Sequence, residues 1–188
     1  MTQQEISSLL QEISGQSHLK PEQIPELSLY IDQILTLFSC GSAEERALTK
    51  SMVNNYSKEK MLRPMKGKKY SREQVLQLLL VCRLKSVLSM EQIKSLTQAL
   101  MEQEEGEERL EEILNAADCQ KQLFAETVEF FWQRSRTNLS EDLCPSDSAA
   151  LILAFCQLSE LFAQAACRTA ECTFFQKEKK EKNKGDAT

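Results

Sequence analysis

The chain has little of what catalysis needs. Its one histidine, His18, sits in a polar connector before Pro21. It has no glycine-rich phosphate loop, no H-E-x-x-H helix and no G-x-S-x-G elbow, so the common nucleophile, metal and phosphate arrangements are missing. Neither enzyme activity nor a cofactor is expected. Only five glycines and four prolines punctuate 188 residues. With Leu, Gln, Glu, Lys and Ala abundant, so few breakers point to an all-α chain.

The seven cysteines (Cys40, Cys82, Cys119, Cys144, Cys156, Cys167, Cys172) are odd in number and form no C-x-x-C pair. Several stand among apolar residues, the usage of a reducing cytosol with thiols packed as small hydrophobes. Cys156 and Cys167 share a helical face but lie about 16 Å apart along it, too far to share an ion through Zn–S bonds of about 2.3 Å. No metal site is expected, and a redox or metal sensor is the weakest reading of function. The first ten residues lack the basic start and apolar stretch of a secretory leader. No uninterrupted apolar run approaches the roughly 20 residues of a membrane helix. The expectation is a cytoplasmic protein with no membrane contact.

What the chain has is a basic island. Its net charge is −5, yet between Arg46 and Arg72 nine basic residues stand against one acid, Glu59. The island carries +8 and the remainder −13. Concentrated positive charge is the electrostatic footprint of phosphate contact; its plainer reading is a solvated basic face.

Apolar spacing organises the rest into helices. Ile6, Leu9, Leu10 and Ile13 mark a first stripe that stops near Gly15. Leu27, Tyr30, Ile31, Ile34, Leu35 and Phe38 predict a second helix. Ser42 and Glu45 have the spacing of a capping box, as do Ser71 with Gln74 and Ser89 with Gln92, each marking a helix start. Leu48, Met52, Val53 and Tyr56 form the stripe after the first box, and that helix must end before Pro64. The short segment to Tyr70, with Gly67 between lysines, suits a turn or small hairpin with a cationic tip. From Glu102 to Asp118 eight acids stand against Arg109, which reads as a solvated helical face that repels DNA. Two further helices follow, one carrying Leu110 to Trp132 and a last long one, from near Ser146 or Asp147, carrying Leu151 to Ala165. The tail from Gln176 has one apolar residue, Ala187, and is expected to be disordered. The expected divisions are an extension at 1–21, a helix-turn-helix domain at 22–101, a helical region at 102–175 and the tail at 176–188.

A DNA-reading helix needs side chains on its polar face that reach base edges. Asn54 or Asn55 can pair bidentately with adenine, although paired Asn also marks helix ends. Thr49, Ser51 and Ser57 can bond phosphate or bases, and Lys50 and Lys58 suit phosphates, which position the protein without reading sequence. Tyr56 has two expected jobs: its ring packs inward and its hydroxyl reaches a phosphate. In the following turn Lys66, Lys68 and Lys69 form the tip, flanked by Arg63, Tyr70 and Arg72.

These motifs, in this order, resemble the MerR-type winged helix-turn-helix. Asn55-Tyr56, Met61-Leu62-Arg63-Pro64, Tyr70-Ser71-Arg72-Glu73 and Leu88 to Ile93 stand where that family has its aromatic pair, its step to the wing and its two supporting helices. Asn replaces the arginine that MerR proteins carry before the aromatic pair. Over residues 22–100 the chain resembles more closely a bacterial family, the domain of unknown function numbered 1836. Ile24-Pro25, Leu29 to Gln33, Leu48 to Tyr56, Lys58, Lys68 to Tyr70 and the segment from Leu84 to Ile93 carry the match. The resemblance implies a MerR-like DNA-binding fold and brings no target, effector or ligand.

The expected function is transcriptional regulation through double-stranded DNA. The alternative is a protein–protein adaptor that kept the fold and lost DNA binding. Phe155, Leu158, Phe162 and Ala165 follow a 3-4-3 spacing that fits packing onto the helix of residues 124–132 or a homodimer seam through the C-terminal helices.

Overall fold

The computed structural model describes residues 2–15, 19–39, 48–65, 67–103 and 106–175. His18, Cys40, the predicted capping box at 42–45, Lys66 and the tail from Gln176 lie outside the described residues.

The protein is all-α. Its helices are α1 (Gln3–Gly15), α2 (Ile31–Ser39), α3 (Lys50–Lys58), α4 (Arg72–Leu84), α5 (Met90–Met101), α6 (Gly106–Cys119), α7 (Lys121–Arg136) and α8 (Pro145–Ala170), with a 3-10 turn at Pro21–Gln23 and a π-helical end at Glu171–Phe175. Two isolated β-bridges, Thr2 with Asp142 and Leu29 with Tyr70, are the extended pairings among the described residues. Two capping boxes form as the sequence predicts. The hydroxyl of Ser71 accepts from the Gln74 amide and that of Ser89 from the Gln92 amide, while each glutamine side chain accepts from its serine's N–H.

Backbone contacts divide the chain into two compact units. One comprises Met1–Ser17 and Ala116–Phe162. In it α1 packs on α7 around buried Ile6, Trp132, Leu143 and Leu151. Gln3 ties the unit together: its side-chain amide donates to the carbonyls of Arg136, Leu139 and Ser140 at 3.1–3.3 Å, where the chain leaves α7 and the helical ladder no longer supplies every donor. This small core leaves much apolar surface open, and Leu123, Phe124, Phe130, Ile152, Leu153, Leu161 and Phe162 are all exposed. The stretch Pro145–Phe175 is long and apolar enough to cross a membrane by length and composition, with Gln157, Glu160 and Gln164 interrupting its apolar residues.

The other unit comprises His18–Asn115 and Ala163–Thr188. Its centre is α4, in which every residue from Gln74 to Val81 is buried. Each buried Leu or Val contributes about 1.5–3 kcal/mol relative to exposure. Ile34, Phe38, Val53, Tyr56, Ile93, Leu110 and Leu114 complete the core around it. The expected helix over 27–38 begins late: Leu27 is 76% exposed, and Leu29 exchanges backbone hydrogen bonds with Tyr70 at 2.9 and 2.8 Å instead of starting a helical turn.

Candidate nucleic-acid interface

Helix α3 has two chemically different sides. Thr49 caps it, its hydroxyl accepting from the Met52 amide at 3.3 Å. Val53 and Tyr56 are buried, with Met52 and Ser57 half-buried beside them. Lys50, Ser51, Asn54, Asn55 and Lys58 are all exposed, and at 3.6 residues per turn they fill one arc of about 140°. That arc carries no acid.

Its composition is unfavourable for the helix itself. Lys50 occupies the first helical position, and the first turn has no acidic residue, although the helix dipole favours negative charge there. Asn is a weak helix former in an interior. Residues placed against local preference in this way are expected at functional or strained sites. The same N-terminus, with its free N–H groups and added cation, suits a phosphate.

The end of α3 is fixed by a left-handed residue. Lys60 has φ 58°, its N–H donates to Ser57 O, and the next amide, Met61, donates to Tyr56 O. This is the Schellman arrangement, in which a non-glycine residue occupies the position glycine normally takes. It turns buried Met61 and Leu62 into the core and leaves Lys60 exposed.

The segment after α3 is held from beneath by α4. The Arg63 amide donates to the Gln77 side chain at 2.9 Å, and the Arg63 carbonyl accepts from Gln74 Nε2 at 2.8 Å. Both glutamines are buried, and these bonds account for polar groups inside the core. No hairpin forms among the described residues of this segment. Its far end is paired across to Leu29, and Gly67 turns the chain with φ 101°. Lys68 and Lys69 are exposed at the turn, and the Lys69 ammonium lies 4.8 Å from the centroid of the Tyr30 ring. Tyr30, which periodicity assigns to an apolar stripe, is instead half exposed, and Lys60 is a further surface group of this region that the spacing does not single out.

Four expected contact residues are committed elsewhere. Arg72 is 7% exposed, and its guanidinium donates to Glu111 at 2.9 Å, Glu107 at 3.1 Å and the carbonyls of Pro21 and Ile24 at 3.3 and 3.4 Å. Glu26 approaches within 3.6 Å. These carboxylates raise the Arg72 pKa, Glu111 foremost, against the opposing effect of burial. An internal clamp therefore replaces the expected phosphate contact. Arg63 pairs with Glu73 and donates to the Met101 carbonyl at 3.1 Å. Tyr56 is 4% exposed, and burial pushes its phenol pKa up, so the inward role is the one it fills. Tyr70 is equally buried.

The acidic segment is correspondingly less free than its composition implies, since Glu107 and Glu111 bind Arg72. The cysteines depart from expectation in the opposite direction. Among the six described, Cys119, Cys144, Cys156 and Cys172 are exposed thiols, and Cys82 and Cys167 are half-buried. No three potential metal ligands converge among the described residues.

The class defined by this fold is a small all-α domain built on a buried central helix and presenting one polar, basic helix face. The chain belongs to the family described as Domain of unknown function (DUF1836), which matches residues 19–117. The matched span begins one residue after His18 and ends two past Asn115, so it coincides with the N-terminal portion of the second unit. No curated protein and no solved structure matches the chain.

Proposed function

We propose that this protein is a cytoplasmic, non-enzymatic regulator of transcription that binds double-stranded DNA on a MerR-like helix-turn-helix. Helix α3 is the reader and the Lys68–Lys69 turn the wing. The observation that carries this reading is the exposed arc of α3, where Lys50 and Lys58 bracket Asn54 and Asn55 with no acid among them. Lysines supply the sequence-independent attraction to phosphate, and the two amides supply donor–acceptor pairs that match adenine in the major groove. Thr49, Ser51 and Lys60 add hydroxyl and cationic groups at the two ends of the helix.

The adaptor alternative has one observation in its favour. Arg63 and Arg72 are engaged by internal acids, which leaves fewer cations for phosphate than the sequence contains. Selection from a pool of random duplexes at low salt separates the two. The DNA reading expects retained duplexes that converge on a common site, and the adaptor reading expects no retention.

A further inference from the structure

The pairing of Leu29 with Tyr70 sets a second pair on the surface. Leu29 and Tyr70 exchange both backbone hydrogen bonds, at 2.9 and 2.8 Å, and both side chains are buried. Successive side chains of an extended chain point to opposite sides, so Tyr30 and Lys69 turn outward. The antiparallel register carried one step further puts them opposite each other, in the kind of pair whose side chains lie closest. Both are exposed, and the Lys69 ammonium stands 4.8 Å from the centroid of the Tyr30 ring, within cation–π range.

Tyr30 is the fixed member of this pair. Its N–H donates to Gln33 Oε1 at 2.8 Å, and its carbonyl accepts from the Ile34 amide at 3.1 Å, so its backbone is tied at the start of α2. Lys69 is the adaptable member, because a lysine stem carries large rotamer entropy. The other engaged cations of this region have acids as partners. Arg63 pairs with Glu73, Arg72 with Glu107 and Glu111, and Lys94 with Glu59, and each of those charges is cancelled locally. Among the described residues no carboxylate pairs with Lys69. A ring attracts a cation through its quadrupole and has no net charge. It orders Lys69 and leaves the whole positive charge for a second partner.

We propose that Tyr30 is a positioning residue for Lys69, holding its ammonium outward for a backbone phosphate of duplex DNA. This role rests on the DNA reading of the Lys68–Lys69 turn. A free surface lysine gives up side-chain freedom when it meets a phosphate, and one already resting on a ring gives up less. The ammonium has three donors, so it meets the phosphate without leaving the ring. The gain is the same for every sequence, because phosphates carry no sequence information. The Tyr30 hydroxyl has no part in it, and phenylalanine serves as well.

The test uses the full chain in two arms, with circular dichroism as the control for folding. Without DNA, proton NMR of the lysine ε-methylene groups should show one signal moved upfield by the ring. It should be kept in Tyr30→Phe and absent from Tyr30→Leu and Lys69→Gln. With a selected duplex, Tyr30→Leu should weaken binding on the order of threefold, and Tyr30→Phe should leave it unchanged. Added to Lys69→Gln, Tyr30→Leu should bring no further loss, since the two residues act as one unit. Tyr30→Thr stands in if the leucine variant does not fold. Three outcomes overturn the positioning role while the duplex is still bound: no upfield lysine signal in wild type, Tyr30→Phe as weak as Tyr30→Leu, or an equal loss from Tyr30→Leu with and without Lys69. If wild type retains no duplex, the DNA reading fails and the role fails with it, even where the upfield signal is present.

Discussion

The Arg72 guanidinium and the Glu111 carboxylate meet at 2.9 Å, joining the first residue of α4 to the second turn of α6. Arg72 belongs to the basic island by sequence and to the core by position. Replacing it with Met is expected to lower stability by about 1–3 kcal/mol, the cost of removing the donor of the Ile24 carbonyl and of the partly exposed Glu107 and Glu111 carboxylates. The salt dependence of DNA binding should stay unchanged, whereas loss of a true phosphate contact would reduce it by about 0.9 per contact. Urea unfolding and a salt titration of the same variant measure both.

The same pair sets a pH dependence. The hydrogen bond from Arg72 holds the Glu111 pKa below its ordinary 4.5. A carboxyl whose folded value is depressed stabilises fully above its unfolded value, and that contribution is lost as pH falls through the folded one. Glu111→Gln should therefore be less stable than wild type at neutral pH. The gap should narrow as pH drops below about 4.5, read as the difference in melting temperature across an acid series.

Lys60 occupies the left-handed region at φ 58°. Glycine takes that conformation without Cβ strain, offset in part by the added freedom of the unfolded chain. Lys60→Gly is expected to raise stability by about 0.5–1 kcal/mol, the strain relieved less that entropy, measured by chemical unfolding. A loss of stability would mean that the Lys60 side chain contributes more to the fold than its exposed position indicates.

Asn54 and Asn55 should separate folding from recognition. Alanine at either position improves helix propensity by up to about 0.7 kcal/mol. It also removes a bidentate reader worth about 1–3 kcal/mol of discrimination between bases. Each variant should melt higher than wild type and prefer its selected site less strongly over a scrambled duplex. A gain in stability with unchanged preference would remove that residue from the reading set.

Local chemistry made much of this molecule legible in sequence. Ser71 and Ser89 start their helices as their capping boxes predict, and the stripe of Met52, Val53 and Tyr56 turns inward, leaving the asparagines outside. Long-range pairing was not legible. Arg72 finds Glu107 and Glu111 35 and 39 residues away, and a charge count cannot register neutralisation across that distance. Leu29 shows the same limit, since its spacing fits a helix and its backbone instead pairs with Tyr70, 41 residues on. Cys156 of α8 stands among apolar neighbours in sequence, yet its side of the helix is open and the thiol is exposed. Gln74 is legible as the capping partner of Ser71, and only the folded chain reveals that it and Gln77 also hold the backbone of Arg63.

The most direct test of the DNA reading is the slope of log K against log salt for a selected duplex. It is to be measured for wild type and for single Gln substitutions of Lys50, Lys58, Lys68 and Lys69. Each lysine that meets a phosphate should, when removed, make the slope shallower by about 0.9, while Lys94→Gln, whose partner is Glu59 at 3.2 Å, should leave it unchanged. A protein that retains no duplex at low salt, or whose slope ignores all four α3 and turn lysines, contradicts the account.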